Sequence, residues 1–197
     1  LINVGRGAIV VLDDLVAAVK KSLGAQQVTS VVVDTSLWTG PTLAEGWLPA
    51  DVPGGFIAPM VPLMLDGGRA DPTLQDGPRV ADPAGAAAKA FADKLGVTKV
   101  VKGTAPDDAK QLGQVVSAPM SELVEHLLTT SDNVTAESLA RAVAVSRQAD
   151  PSFTGSAEAV LAALSQAGFD VTGAHLVDGS GLSTSDRVPA GLLASLL

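Results

Sequence analysis

The sequence has 197 residues, 47% of them hydrophobic and 17% charged, with a formal net charge of −8. That is enough apolar chain for a sizeable buried core, while the scattered Lys and Arg argue against nucleic acid as a partner, since a phosphate backbone needs clustered cations. The absence of cysteine removes disulfides, thiolate nucleophiles and Cys-based zinc sites, and two histidines, His126 and His175, without a His-Glu-x-x-His pattern argue against a zinc peptidase.

No apolar run approaches the roughly 20 residues that a membrane span needs. The opening residues carry no basic run leading into an apolar stretch, as a signal peptide would, and read as mid-chain sequence. Residues 10–23 are expected to form a helix. Leu12, Leu15, Val16, Val19 and Leu23 fall at helical spacing, Asp13 and Asp14 come early, Lys20 and Lys21 come late, and Gly24 is a natural stop. The β-branched run 28–34 predicts a buried strand. Residues 38–69 are rich in Gly and Pro and read as irregular, with short strands expected around 56–65.

A second helix is expected over 82–95, with Ala86, Ala90, Phe91 and Leu95 in register and Gly96 closing it, followed by a short strand at 98–102. The polar stretch 107–110 marks a surface loop or boundary. Helices then dominate. Residues 120–128 place Leu123, Val124, Leu127 and Leu128 on one face behind Pro119, and further helices are expected over 135–146 and 156–167, the latter ended by Gly168. A strand at 174–177, a tight turn at 178–181 and a last helix opened by Pro189 complete the chain. In the turn Asp178-Gly179-Ser180-Gly181, at least one glycine should take positive φ, and Asp178 or Ser180 should bind nearby amides. The pattern is mixed α/β (α+β), without an internal repeat.

The stretch that carries chemistry is Ser131-Asp132-Asn133, between two predicted helices. Residues i and i+2 of a tight interhelical turn can face one cleft, and a hydroxyl beside a carboxamide suits acyl transfer to an amide: the hydroxyl relays a proton while the amide holds a lysine and the substrate backbone. A Ser-x-Asn tripeptide is uninformative by itself, because Ser and Asn are also ordinary helix caps. Its surroundings are informative. The run from Ser117 through Ser121-Glu122-Leu123-Val124 to Ser131-Asp132-Asn133-Val134-Thr135-Ala136-Glu137-Ser138-Leu139 resembles the corresponding stretch of the DacB-type, or class C, penicillin-binding proteins. Roughly 45 residues on, Asp178-Gly179-Ser180-Gly181-Leu182-Ser183 is similar to that family's second long signature. Val31 to Asp34, Thr39-Gly40-Pro41, Gly46-Trp47 and Ala58-Pro59-Met60-Val61-Pro62-Leu63 look like its inserted domain. The resemblance covers 28–197.

What the resemblance implies is a piece of a serine-type D-alanyl-D-alanine carboxypeptidase or endopeptidase, peptidase S13. Its substrate would be the peptidoglycan stem peptide, it would bind β-lactam antibiotics, it would work outside the cytoplasm (periplasm, cell wall or secreted), and its chemistry would call for no cofactor and no metal. The fold implied is part of a β-lactamase-like catalytic domain, 113–197, preceded by an inserted α/β domain, 1–112. Ser131 would relay a proton between the catalytic lysine and the leaving amine, and Asn133 would bind that lysine and the acyl-side amide of the substrate. Asp132, the variable middle residue, receives no role. The family also uses Ser-x-x-Lys and Lys-Thr-Gly motifs. No Lys of this chain follows a Ser by three residues, and Lys102-Gly103-Thr104 has the wrong order and precedes Ser131. The chain alone is therefore expected to be inactive. The rival reading is a non-catalytic cell-wall-binding or scaffold protein of the same fold.

Three further patterns invite other readings. Residues 1–20, with Ile2-Asn3 and Arg6-Gly7 before the expected helix, resemble D-2-hydroxyacid dehydrogenases, in which an arginine at the place of Arg6 holds the substrate carboxylate, but no Gly-x-Gly-x-x-Gly precedes it. His175, Asp178 and Ser180 suggest a triad but are too close in sequence to converge. Trp38 and Trp47 could line a glycan groove, though core anchoring is the commoner use of such residues.

Overall fold

Leu15, Val16 and Val19, spaced one, three and four apart, are the buried stripe of helix α1 (Leu12–Leu23), as the periodicity predicts. In the computed structural model residues 12–74 and 76–197 are described, so the expected helix start at 10, and Arg6 with the other dehydrogenase-like residues before Leu12, lie outside the described residues. Strands β1 (Val31–Val33) and β2 (Val100–Lys102) pair in parallel, Val31 opposite Val100 and Val33 opposite Lys102. A parallel pair requires a crossover, and helix α2 (Pro83–Leu95) lies within it. Asp82 caps α2 by accepting from Gly85 N (3.0 Å), Pro83 occupies its first position, and Gly96 closes it at φ 75. Ala84, Ala88 and Phe91 of α2 share one core with Val31, Val33 and the α1 stripe.

The strands expected around 56–65 do not form. Ile57, Ala58, Met60, Leu63 and Met64 are buried, but Pro59 and Pro62 have no N–H to give a ladder, and the segment is tied down by isolated bonds such as Met60 N to Thr42 O (2.7 Å). It ends in a single 3₁₀ turn, Asp66–Gly68. The strand expected at 174–177 is likewise reduced to one antiparallel bridge between His175 and Arg187. Gly173, at φ 79, and the turn at Asp178 confine that run to too few residues for a ladder.

The second half is helical: α3 (Met120–Thr130), α4 (Asn133–Ser146), α5 (Phe153–Gln166) and a short α6 (Ala190–Leu196). α4 and α5 begin earlier than their apolar periodicity suggests because Asp132 and Ser152 cap them, accepting from Thr135 N (2.7 Å) and Gly155 N (3.1 Å). Of the apolar face expected on α3, only Leu123 is buried, and Val124 and Leu128 are exposed. A second core joins Ile57, Ala58, Met60 and Met64 to Val134 of α4 and Phe153 of α5. The irregular segment thus lies directly on the helix that follows Ser131. No helix among the described residues is long and apolar enough to cross a membrane.

Candidate active site

α3 ends and α4 begins within three residues. Ser131 closes α3 in the left-handed region (φ 54, ψ 43), Asp132 is extended (φ −77, ψ 103), and Asn133 is the first residue of α4. Neither residue singled out from the sequence is the N-cap of α4; that work is done by Asp132 Oδ1. Ser131 is exposed, and its hydroxyl makes no hydrogen bond among the described residues. The half-buried Asn133 donates through Nδ2 to the Phe56 carbonyl (3.0 Å). The other Asp132 oxygen, Oδ2, accepts from Arg69 Nη2 at 3.1 Å, with the two side chains 17% and 9% exposed. Burial alone would raise the Asp132 carboxyl, but the Thr135 amide and hydroxyl and the Arg69 guanidinium outweigh it and hold it below the usual aspartate range.

One turn along α4 from Asn133, Glu137 is 1% exposed, and its Oε1 accepts from Gly179 N and Ser180 N, both at 2.9 Å. This seats the 178–181 turn on the helix that carries Asn133. The turn itself is organised by buried Asp178. Its Oδ1 accepts from Ser180 N (3.1 Å) and Gly181 N (2.7 Å), and its Oδ2 from Ser183 N and Trp47 Nε1 (2.7 Å each). Gly181 has φ 76, the positive value expected of one of the two glycines. Burial pushes Glu137 up to about 7, helped by the charge of Asp178 and opposed by its bonds to Ser180 and Gly179. Asp186, behind the turn, is also raised by burial and by Asp178; its Oδ1 accepts from Val177 N (2.6 Å), and its buried Oδ2 has no partner among the described residues.

A further turn along α4, Arg141 is 1% exposed and lies 4.3 Å from the Phe153 ring centroid and 5.3 Å from that of Trp38. Its Nη1 donates to the carbonyls of Thr39 (3.3 Å) and Pro151. Trp47 meets Phe153 edge-on, with centroids 5.2 Å apart at 82°. Both tryptophans are thus built into the packing around α4. The sequence-adjacent His175, Asp178 and Ser180 form no triad: Asp178 is occupied by amides and an indole, and His175 sits in its bridge to Arg187. His126 is exposed on α3. No group of His, Cys, Asp and Glu among the described residues could hold a metal ion.

The glycines differ in what a side chain would meet. A Cβ on Gly179 would overlap the Cβ of Ala140 on α4, whereas one on Gly181 meets nothing and suffers only from its positive φ. Gly179→Ala should therefore cost roughly 1–3 kcal/mol as overpacking, and Gly181→Ala about 1 kcal/mol as backbone strain. Urea denaturation of the two variants checks the order; equal costs would contradict the docking of the turn on α4.

Sequence reasoning missed Arg69, Asp132 and Glu137, the side chains that hold this site together. Asp132 directly precedes a helical run, which is a legible N-cap signal, and Glu137 falls four residues after Asn133, on the same helix face. Arg69 is far away in sequence and gave no signal.

Comparison with known proteins adds the following. The sequence model of the D-Ala-D-Ala carboxypeptidase 3 (S13) family matches residues 8–78 and 75–197. The chain is 46% identical over 167 residues to Carboxypeptidase DacB of Mycolicibacterium smegmatis, covering 83% of this chain and 36% of that protein. It is 41% identical over 184 residues to Carboxypeptidase Rv3627c of Mycobacterium tuberculosis, covering 92% and 40%. The chain thus spans well under half the length of these two relatives. Its fold matches the crystal structure of penicillin binding protein 4 (dacB) from Haemophilus influenzae, with a TM-score of 0.77 at 23% identity over 92% of this chain and 56% of the other. A structure of the same protein complexed with a β-lactam matches over 62% of this chain and 29% of the other, with a TM-score of 0.52 at 29% identity.

Proposed function

Because the chain belongs to the D-Ala-D-Ala carboxypeptidase 3 (S13) family, we propose that it is part of a serine-type D-Ala-D-Ala carboxypeptidase or endopeptidase that cleaves peptidoglycan stem peptides through an acyl-enzyme. The observation that carries this reading is the Ser131–Asn133 turn: an exposed, unengaged hydroxyl held in a left-handed conformation next to a carboxamide, at the start of a helix fixed from below by Glu137 and Arg141. In the proposed mechanism Ser131 relays a proton between a catalytic lysine and the leaving amine. Asn133 orients that lysine and the acyl-side amide of the substrate. The nucleophilic serine and the lysine would come from residues outside these 197. Asp132 shapes the turn rather than meeting the substrate.

In this reading residues 1–112 belong to the inserted α/β part and 113–197 to the catalytic domain. The core shared by Ile57, Met60 and Met64 with Val134 and Phe153 supports direct packing of the two parts on each other. The site would face the cell-wall side of the membrane and take β-lactams as substrate mimics, as expected of an enzyme that acts on D-Ala-D-Ala termini.

The test is labelling by a fluorescent penicillin. The full-length protein should give a band that survives denaturation, and it should release D-Ala from a D-Ala-D-Ala peptide. The 197-residue polypeptide alone should do neither. A full-length protein that folds but is not labelled would favour the non-catalytic scaffold reading, and a labelled 197-residue polypeptide would overturn the assignment of the nucleophile to another part of the protein.

A further inference from the structure

Asp132 divides its two oxygens between two tasks. Oδ1 caps α4, which accounts for an aspartate at this position but not for Oδ2. Oδ2 reaches Arg69, 63 residues earlier in the chain, at 3.1 Å. Arg69 follows a run of three residues with positive φ: Asp66 (51°), Gly67 (62°) and Gly68 (74°). The Asp66 carbonyl closes that turn by accepting from Arg69 N (3.2 Å) and from Arg69 Nη1 (2.9 Å). One guanidinium therefore bonds at once to a left-handed turn in the irregular segment and to the residue next to Ser131, which is itself left-handed at φ 54. Asp66 and Ser131 are two of only three non-glycine residues with positive φ among the described residues, and such conformations persist only where their surroundings impose them.

The turn that carries Arg69 is anchored from behind. Arg79, also buried, donates through Nη1 to Gly67 O (2.9 Å) and through Nε and Nη2 to Gly55 O (3.0 and 2.6 Å). The next carbonyl, that of Phe56, accepts from Asn133. Segment 55–69 thus grips the Ser131–Asn133 loop at both residues after the serine and leaves the hydroxyl itself exposed.

We propose that Arg69 is a positioning residue for the Ser-x-Asn loop, fixing the backbone of Ser131 through Asp132 while touching neither substrate nor reacting atoms. The inference rests on the reading of Ser131 and Asn133 as catalytic. Asp132→Asn separates the two tasks of Asp132: a carboxamide keeps an oxygen for the cap but turns an NH2 toward Arg69. Arg69→Met removes the guanidinium bonds to Asp66 O and Asp132 Oδ2, and Arg69→Lys keeps the charge without the fork that reaches Asp66 O and Asp132 together.

The experiment measures acylation of the full-length protein by a fluorescent penicillin, and kcat and KM on a D-Ala-D-Ala peptide, with folded fraction followed by circular dichroism at the assay temperature. Arg69→Met and Asp132→Asn should each slow acylation about 10-fold, because small misplacements of a proton-transferring group are costly. The loss should fall on kcat rather than KM. The double variant should be no worse than the poorer single one, as expected for partners in one interaction, and Arg69→Lys should lie between wild type and Arg69→Met. Ser131→Ala belongs in the same panel. If Ser131→Ala is inactive while Arg69→Met and Asp132→Asn acylate at the wild-type rate, the positioning role is overturned and the catalytic reading stands. Losses that only follow the unfolded fraction, or that multiply in the double variant, overturn it as well. A Ser131→Ala protein that acylates normally overturns the catalytic reading and this inference with it.

Discussion

Ser131→Ala in the full-length peptidase is expected to lower turnover about 10²–10⁴-fold, the range typical for loss of a positioned proton-transfer group, while leaving the melting temperature nearly unchanged. The second half of the expectation follows from the surroundings of the side chain. Ser131 is exposed, its hydroxyl bonds to nothing among the described residues, and the capping of α4 rests on Asp132. Ser131→Gly sharpens the contrast. The left-handed backbone at φ 54 costs a residue with a Cβ roughly 1–2 kcal/mol, so glycine should hold or raise stability while activity falls as far as in the alanine variant. A stabilised yet inactive protein cannot be explained by unfolding. If Ser131→Ala instead melted early and kept full turnover per folded molecule, Ser131 would be a structural cap and nothing more.

The helices were legible wherever one periodic apolar face coincided with cap chemistry. Asp82, Pro83 and Gly96 bracket α2 in the sequence as they do in space, and Pro189 opens α6. The strands were legible only where β-branched residues could pair, as in Val31–Val33 with Val100–Lys102. Around 56–65 the expected short strands do not form: Ile57, Met60 and Met64 are buried, but Pro59 and Pro62 prevent the ladder that such apolar spacing implies. The exposed Val124 and Leu128 of α3 mark the other limit: periodicity reveals that a face is apolar, not what it is packed against. At the site, Ser131, Asn133 and the Asp178 turn were readable because they form continuous strings of residues. Arg69 and the Phe56 carbonyl reach the same loop from more than sixty residues away, and contacts at such separation are set by tertiary packing that no local pattern encodes.

Glu137 should make the protein less stable as pH rises from about 4.5 to about 7. Its carboxyl, pushed up to about 7 by burial in the folded state, ordinarily titrates near 4.5. Between those values the native protein retains a proton that the unfolded chain has released, so the folded state is favoured at the acid end, and the advantage is lost as pH passes the folded value. A shift of that size corresponds to about 3 kcal/mol, an upper figure because the unfolded chain keeps some structure. Glu137→Gln removes the titration and keeps the geometry: the amide oxygen can still accept from Gly179 N and Ser180 N. The variant should match wild type near pH 4.5 and exceed it at pH 8, with a flatter profile in urea denaturation. Some slope should persist, because Asp186 is raised in the same direction by burial and by its neighbour Asp178. Glu137→Ala should behave differently, losing stability at every pH, since Gly179 N then lacks its acceptor and Ser180 N keeps only its 3.1 Å bond to Asp178 Oδ1. A Glu137→Gln profile as steep as wild type would mean that the 178–181 turn is not held on α4 by a buried, titrating carboxyl.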